Sequence, residues 1–570
     1  MTEPPLTRGP DGRFHPRTEA EVAALVRFAA AHGRRLRVRG AGHAPRGTVA
    51  VDDAGDLRVI LDEMRGLRVV DEAQRIVEAQ AGIHLGSDPA SGPAGALENS
   101  LLSQLADRHG WTLSTTGGIT HQALGGYLAT ASAGGTLQHS VLDQVVSVTF
   151  VDGRGEVRVV SRDDESPGLD AVLPSLGLLG VIVAVQIRCE PLFTIAGQES
   201  IVDLEHAAID LTGPGRDGRP SLAAFLTDAE YARIEWWPQR GAERLLIWQA
   251  QRTSPQPGFR RHGYEEFTAY PVLAEAVISA LLLIFGNLED LERTPAMLRR
   301  NAEHISEVLD AIDAAQPPSR IRVWVRRVLP PALRALARIT PRLGPTRSLL
   351  RRSLPRLLPS VLDYVLPFDS RKPAIRRNEP QSFHDWGWQG LPMDNQASDV
   401  LLASEFSELW VPLGRSEQVI GVLRDYFAEP EHALDSYHRS GLFAYELYGA
   451  PAATGWLHPG HSDGEDEWRD GSLRLDVYWF ADNAEDPRDR FFVQFWALLR
   501  DHEIPFRLHW GKQHPYASAA DPGWTELLAS RYPRWEDFLA LRAELDPDDV
   551  FLTEYWRARL GVWPPGPRTR

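Results

Sequence analysis

Thr115-Thr-Gly-Gly-Ile-Thr-His-Gln-Ala-Leu-Gly-Gly-Tyr-Leu-Ala-Thr-Ala-Ser-Ala-Gly-Gly-Thr136 runs for 22 residues on Gly, Ala, Ser and Thr with almost no bulky side chains. Such a run packs little core of its own. A large molecule must therefore lie against its backbone, because glycine lets main-chain N–H groups approach a ligand closely. A second cradle of this kind precedes it at Gly40-Ala-Gly-His-Ala-Pro-Arg-Gly47. This is not the dinucleotide fingerprint G-x-G-x-x-G, since Pro45 stands where the third glycine should be. Two cradles before residue 140 point to a long, phosphate-containing cofactor.

Around these cradles the sequence reads as alternating helix and strand. Thr18 followed by Glu21 has the pattern of a capping box, and Val22, Leu25, Val26 and Ala29 recur at helical spacing, which predicts a helix over 18–31. Gly33 stops it, and Arg35-Leu-Arg-Val-Arg39 alternates as a half-buried strand does. Short strands are predicted at 56–61, 66–70 and 75–81, and a helix at 97–109. Beyond the second cradle, runs at 145–151 and 156–161 flank Asp152-Gly-Arg-Gly155 as two strands about a turn, and 181–187 forms a third.

The chain has 570 residues, 43% of them hydrophobic, enough for more than one packed core. Its net charge of −16 opposes attraction to phosphate backbones, so nucleic acid is not expected as a partner. The single cysteine, Cys189, excludes an intrachain disulfide and a cysteine-based zinc site, and no metal is expected. The N-terminus has no apolar export core, and the longest apolar stretch, 272–285, is short of the roughly 20 residues that span a bilayer. A cytoplasmic protein is the expectation.

Past residue 200 the composition shifts: 16 of the 17 tryptophans lie there, which suits either an aromatic cavity or a large core. Between Arg320 and Arg377, 15 basic residues face only Asp363 and Asp369. Three readings of this stretch stay open: a helical insertion whose arginines pair with the acidic remainder, a peripheral contact with anionic membrane, or an electropositive mouth for an anionic substrate.

Two side chains stand out for chemistry. His43 sits inside the first cradle, and Lys512, in Arg507-Leu-His-Trp-Gly-Lys-Gln-His514, is one of only two lysines in a chain that otherwise uses arginine. A compact ammonium there suits a place where a planar guanidinium would not fit. Nucleophile elbows, H-E-x-x-H and P-loops are missing, so hydrolase and kinase templates find no support.

The order Gly40-Ala-Gly-His43, Thr116-Gly-Gly118, Gly125-Gly-Tyr-Leu-Ala-Thr130, Asp143 to Gly153 and Ser175-Leu-Gly-Leu-Leu-Gly-Val-Ile182 resembles the FAD-binding domain of the vanillyl-alcohol oxidase (PCMH-type) flavoprotein superfamily. The later run, His509-Trp-Gly-Lys512, Tyr532-Pro, Leu545-Asp-Pro547, Phe551 and Tyr555, is similar to the aldonolactone oxidase and alditol oxidase branch. The match covers roughly 14–192 and 400–560. It implies an α+β fold: a two-part FAD-binding domain and a substrate (cap) domain with an antiparallel sheet and helices. Residues 1–195 would form the first, 196–514 the cap with a basic insertion at about 318–378, and 515–570 a segment returning to the FAD domain.

The resemblance also implies roles. Arg39, Gly40, Ala41, Gly42, His43 and Ala44 would hold the FAD pyrophosphate, with His43 attached covalently to the flavin. Thr116, Gly117, Gly118 and Thr120 fall where the family contacts FAD, as do Gly125, Gly126, Ala129, Thr130 and Ile182. No cysteine stands near 114–116, so a single covalent attachment is expected. Lys512 would face the flavin and substrate, with His509 beside it. Glu446 aligns with a family glutamate two residues before an arginine, but that arginine is Tyr448 here. Asp476 and Tyr478 replace the His and Thr of alditol oxidases. The implied activity is removal of hydride from a C–H, a carbinol of a bulky or lipophilic small molecule, by an oxidase using O₂ or by a dehydrogenase using another acceptor. A C–C reductase or desaturase of a lipid-like substrate, and a catalytically silent flavin protein at a membrane surface, are the alternatives.

Overall fold

The computed structural model describes residues 3–87, 99–164, 167–238, 243–264, 366–371, 380–392, 404–429, 442–480, 491–515 and 523–563, with single positions near 330, 362 and 488. Helix α1 (Glu19–Ala31) starts where Thr18 Oγ1 accepts the Glu21 N–H at 3.2 Å, and it buries the Val22, Leu25, Val26 and Ala29 face. Strand β1 (Leu36–Arg39) follows and pairs in parallel with β2 (Leu57–Ile60), the first cradle lying at the end of β1.

Strands β3 (Leu67–Asp71) and β4 (Ile76–Gln80) lead to α2 (Leu101–His109), which ends on Gly110 at φ +67°. The second cradle carries the short helix α3 (Leu124–Ala129). Then β5 (Val145–Val151), β6 (Val157–Ser161) and β7 (Val181–Arg188) complete an antiparallel five-stranded sheet in the order β3-β4-β7-β5-β6. The periodicity reading recovers α1 and β1 to β7 to within two residues; the helix expected over 97–109 begins only at Leu101, where Ser100 caps it, and α3 has no counterpart in that reading.

A second sheet of eight antiparallel strands follows: β8 (Thr194–Val202), β9 (Tyr231–Trp237), β10 (Arg244–Thr253), β11 (Gln381–Trp386), β12 (Ser404–Pro412), β13 (Leu442–Ala450), β14 (Ser472–Phe480) and β15 (Arg507–Leu508). Its order is β11-β8-β10-β9-β13-β14-β12-β15. Along the central strands the residues alternate. Ile234, Leu447, Leu475 and Leu409 face a core with α4 (Ser416–Ala428) and α5 (Phe491–Asp501), while the charged residues between them point to the other face.

Two final helices, α6 (Trp535–Leu545) and α7 (Glu554–Leu560), return to the first unit. The Val550 carbonyl accepts from Leu36 N at 2.8 Å, Trp556 Nε1 donates to Thr48 O at 3.1 Å, and both residues join the core cluster of α1 and the five-stranded sheet. Among the described residues, no helix is long and apolar enough to cross a membrane. Most of the basic stretch 320–377, on which the three readings bear, lies outside the described residues.

Candidate active site

A cavity of about 490 Å³ runs from the two cradles to the charged face of the eight-stranded sheet. The cradle wall is glycine for local reasons. Gly42 has φ +95°, a left-handed conformation that costs other residues dearly, and a Cβ on Gly82 would strike the Leu61 carbonyl. Gly126 differs: a Cβ there would meet nothing within 4 Å, because this stretch of backbone opens on the cavity.

Buried Arg37 holds the first cradle in place by donating to the carbonyls of Thr48, Gly177, Leu176 and Phe551 at 2.8 to 3.2 Å. Burial drags its pKa down to about 10, so it remains charged at neutral pH. The His43 ring meets the His121 ring edge-on, centroids 4.6 Å apart.

Of the cofactor residues expected from sequence, all but Thr116 and Thr120 line this cavity. Those two threonines are buried behind it, where the Thr120 carbonyl accepts from Gly86 N at 2.6 Å. A long cradle of bare backbone, and a buried Gln122 Oε1 with no hydrogen-bond partner among the described residues, fit an elongated, hydrogen-bonding cofactor such as FAD.

The opposite wall comes from the sheet. Strand register sets Glu235, Glu446, Asp476 and Glu408 side by side on β9, β13, β14 and β12. Four carboxylates in one row would repel one another, and like charges directly opposite destabilise a sheet. Cations from neighbouring positions offset this. Arg233 lies 3.1 Å from Glu235 and 3.9 Å from Glu446, Arg474 donates to Glu408 at 2.8 Å, and Lys512 Nζ lies 3.4 Å from Asp476 Oδ2. Tyr448 donates to Glu446 at 2.6 Å.

The two acids at the β12 end of the row titrate in opposite directions. Burial opposes the charge of Glu408, but Arg474 together with His509 and Lys512 outweighs it and holds the carboxyl down to about 2. For Asp476 burial wins over Lys512, and the carboxyl rises to about 6. Its Oδ1 has no hydrogen-bond partner among the described residues. Lys512 loses to burial but gains more from Asp476, Glu408 and Glu446, so its pKa is raised and it stays an ammonium.

The turn after β15 delivers Lys512. His509 N donates to Glu408 O at 3.0 Å, Lys512 N to His509 O at 3.0 Å, and Gln513 N to Phe406 O at 3.2 Å. The ammonium rests 4.4 Å from the centre of the Phe406 ring. Burial pushes the His509 pKa down to about 4, so the imidazole is neutral, and its Nδ1 accepts from Gly511 N at 3.1 Å.

Lys512, Glu446, Asp476 and His509, all singled out in the sequence, therefore meet in one cavity with the His43 cradle. Tyr478 lies on β14 opposite Ala444, but its side chain is outside the described residues. Sequence reasoning missed Arg233, Glu235, Glu408 and Arg474. Their signal was a charged residue alternating with apolar ones along otherwise buried strands, as in Arg474-Leu-Asp476.

Two family models match the chain: one described as FAD binding domain over residues 10–87, and one described as D-arabinono-1,4-lactone oxidase over 472–559. The first holds the His43 cradle and the second Asp476 and Lys512. Both matches agree with the resemblance read from the sequence. The chain is similar to D-arabinono-1,4-lactone oxidase of Eremothecium gossypii, 28% identical over 276 residues, 48% of this chain and 47% of the relative. L-gulonolactone oxidase of Scyliorhinus torazame is 27% identical over 43% of this chain and 49% of its own. The chain thus spans about half the length of the curated relatives it matches. A crystal structure of cholesterol oxidase from Brevibacterium sterolicum shares the fold, with a TM-score of 0.61 over 96% of this chain and 93% of that one at 16% identity.

Proposed function

We propose that this protein is an FAD-dependent oxidase that removes hydride from a carbinol of a bulky, partly lipophilic molecule. The observation that carries the reading is the Lys512–Asp476 pair, 3.4 Å apart, in the same cavity as the glycine cradles 340 and more residues earlier in the chain. FAD, when bound, supplies the hydride acceptor. The residues of the chain supply the rest. Asp476, poised near neutrality, takes the hydroxyl proton, and the Lys512 ammonium holds negative charge that develops on the carbinol oxygen. Glu446, fixed by Tyr448 and Arg233, orients the substrate by accepting from a neighbouring hydroxyl. The carbinol would become a carbonyl by giving its hydroxyl proton to Asp476, while FAD held by the two cradles would supply the hydride acceptor and pass the electron pair to O₂ or another acceptor.

The names of the relatives, both lactone oxidases, support a CH–OH donor. The altered set of Tyr448, Asp476 and Tyr478 favours a donor other than a simple lactone. His43, within the cradle, is the residue through which FAD would be covalently attached. Anaerobic mixing of holoenzyme with a panel of alcohols tests the activity: bleaching of the flavin by an alcohol supports it, and bleaching by nicotinamide donors alone would sink it in favour of a C–C reductase.

A further inference from the structure

The two ends of the carboxylate row differ. At the β12 end the row meets Lys512 and Phe406, whereas at the β9 end it runs into hydrocarbon. Trp237 lies two residues beyond Glu235 on β9 and so shares its face. Ala444, one step past the Trp236–Tyr445 pair on β13, leaves room beside it. Leu362 and Leu366, from the far end of the large insertion, complete this part of the wall, and both are buried.

Their placement is fixed by a buried cation. Arg244 pairs in register with Trp237 and is 1% exposed at its side chain. Its guanidinium donates to the carbonyls of Leu362, at 2.9 Å, and Leu366, reaches Asp363 at 2.9 Å and lies 4.8 Å from the centre of the Phe368 ring. Asp369 then accepts from Ile201 N at 3.2 Å. A segment tied by this many bonds presents a built wall, and that wall is apolar.

We infer that Trp237, Ala444, Leu362 and Leu366 form a hydrocarbon-binding subsite for the apolar substituent of an amphiphilic substrate. This rests on the carbinol reading above and deepens it. Strands β14 and β9 are two steps apart in the sheet and Trp237 lies two residues further along, so about 12 Å separates the Asp476–Lys512 pair from Trp237 at roughly 4.8 Å per step and 3.4 Å per residue. Glu446 and Glu235 occupy that interval as hydroxyl acceptors. The substrate is thus a hydroxylated head about the length of one sugar, oxidised at its outer end and carrying a hydrocarbon chain at the other.

The test uses holoenzyme with its flavin reduced, so that binding is measured without turnover, and a series of 1-O-alkyl alditols from methyl to octyl against the unalkylated alditol. Calorimetric Kd values should fall about fourfold per methylene over the first several carbons, as burial of each CH₂ requires. Leu366→Asp should abolish that dependence while leaving the affinity for the unalkylated alditol unchanged, and Leu362→Ala should weaken it. A Kd independent of chain length, or a dependence that survives in both variants, would overturn the subsite, including the case in which the wall packs only against the cofactor. Failure of the oxidase reading looks different: the alkyl series binds with the expected slope, yet none of it reduces the oxidised flavin.

Discussion

Tyr448 and Arg474 stand directly opposite each other on β13 and β14, with the guanidinium carbon 4.9 Å from the centre of the phenol ring. A guanidinium therefore stands one strand away from position 448, where the family resemblance implies an arginine. From there Arg474 bonds Glu408 and the carbonyls of Ala133 and Gly134, tying the sheet to the second cradle.

Arg474→Met should consequently cost more than a lost surface contact. Glu408 is 2% exposed, and removing the partner of a buried ion pair costs about 3–5 kcal/mol because the remaining charge is uncompensated. Thermal unfolding should show a marked fall in Tm. The exchange Tyr448→Arg with Arg474→Tyr, which keeps one guanidinium between the same strands, should recover part of it. Equal Tm values for Arg474→Met and wild type would mean that Glu408 is not held as described.

The proposed role of Asp476 as proton acceptor carries a pH dependence of definite sign. As a proton acceptor it must be ionised, and burial lifts its pKa to about 6. The rate of anaerobic flavin reduction by a competent alcohol should rise from pH 5 to 7 and level off above. In Asp476→Asn the rise should vanish and the rate drop by about 10²–10⁴, the usual worth of a positioned base. Stopped-flow reduction at several pH values measures both effects.

Lys512→Met separates two consequences of one charge. Without the ammonium 3.4 Å away, the Asp476 carboxylate loses its nearest stabilising partner, so the rising limb of the pH profile should move to higher pH. Reduction on the plateau should also slow, while FAD content after gel filtration stays near that of wild type. Unaltered reduction kinetics would remove Lys512 from the mechanism.

The legibility of this molecule in its sequence follows from the range of the interactions involved. Strands 145–151 and 181–188 and the helix from Glu19 declare themselves through local periodicity and a local cap, and the cradles through runs of glycine and other small residues. Lys512 was legible because lysine is rare in this chain. The carboxylate row was not. Glu235, Glu408, Glu446 and Asp476 come from four strands scattered over more than 200 residues, and only the order β9-β13-β14-β12 makes them neighbours. No spacing rule along the chain encodes that order, nor the Arg244 tether that brings Leu362 and Leu366 to the same wall.

Gly126 offers a test of cofactor fit that is independent of turnover. A Cβ at this position meets no protein atom within 4 Å, so Gly126→Val should fold with little change in Tm. Its isopropyl group would project into the space the cradle leaves for the cofactor. FAD content should fall sharply, as read from the flavin absorbance of purified protein. Normal flavin loading in a well-folded variant would place the cofactor elsewhere.

Covalent attachment through His43 makes the last prediction. The ring lies in the cavity wall between Gly42, fixed in its left-handed turn, and Ala44, with His121 packed edge-on against it, so its orientation is set before any cofactor arrives. A covalently held flavin survives denaturation, so acid-precipitated wild type should stay yellow and fluoresce under ultraviolet light. His43→Ala removes the nucleophile but none of the Arg37 bonds that hold the cradle. It should still bind FAD and release it to the supernatant on precipitation. Colour lost from the wild-type pellet would leave the cradle as a non-covalent site.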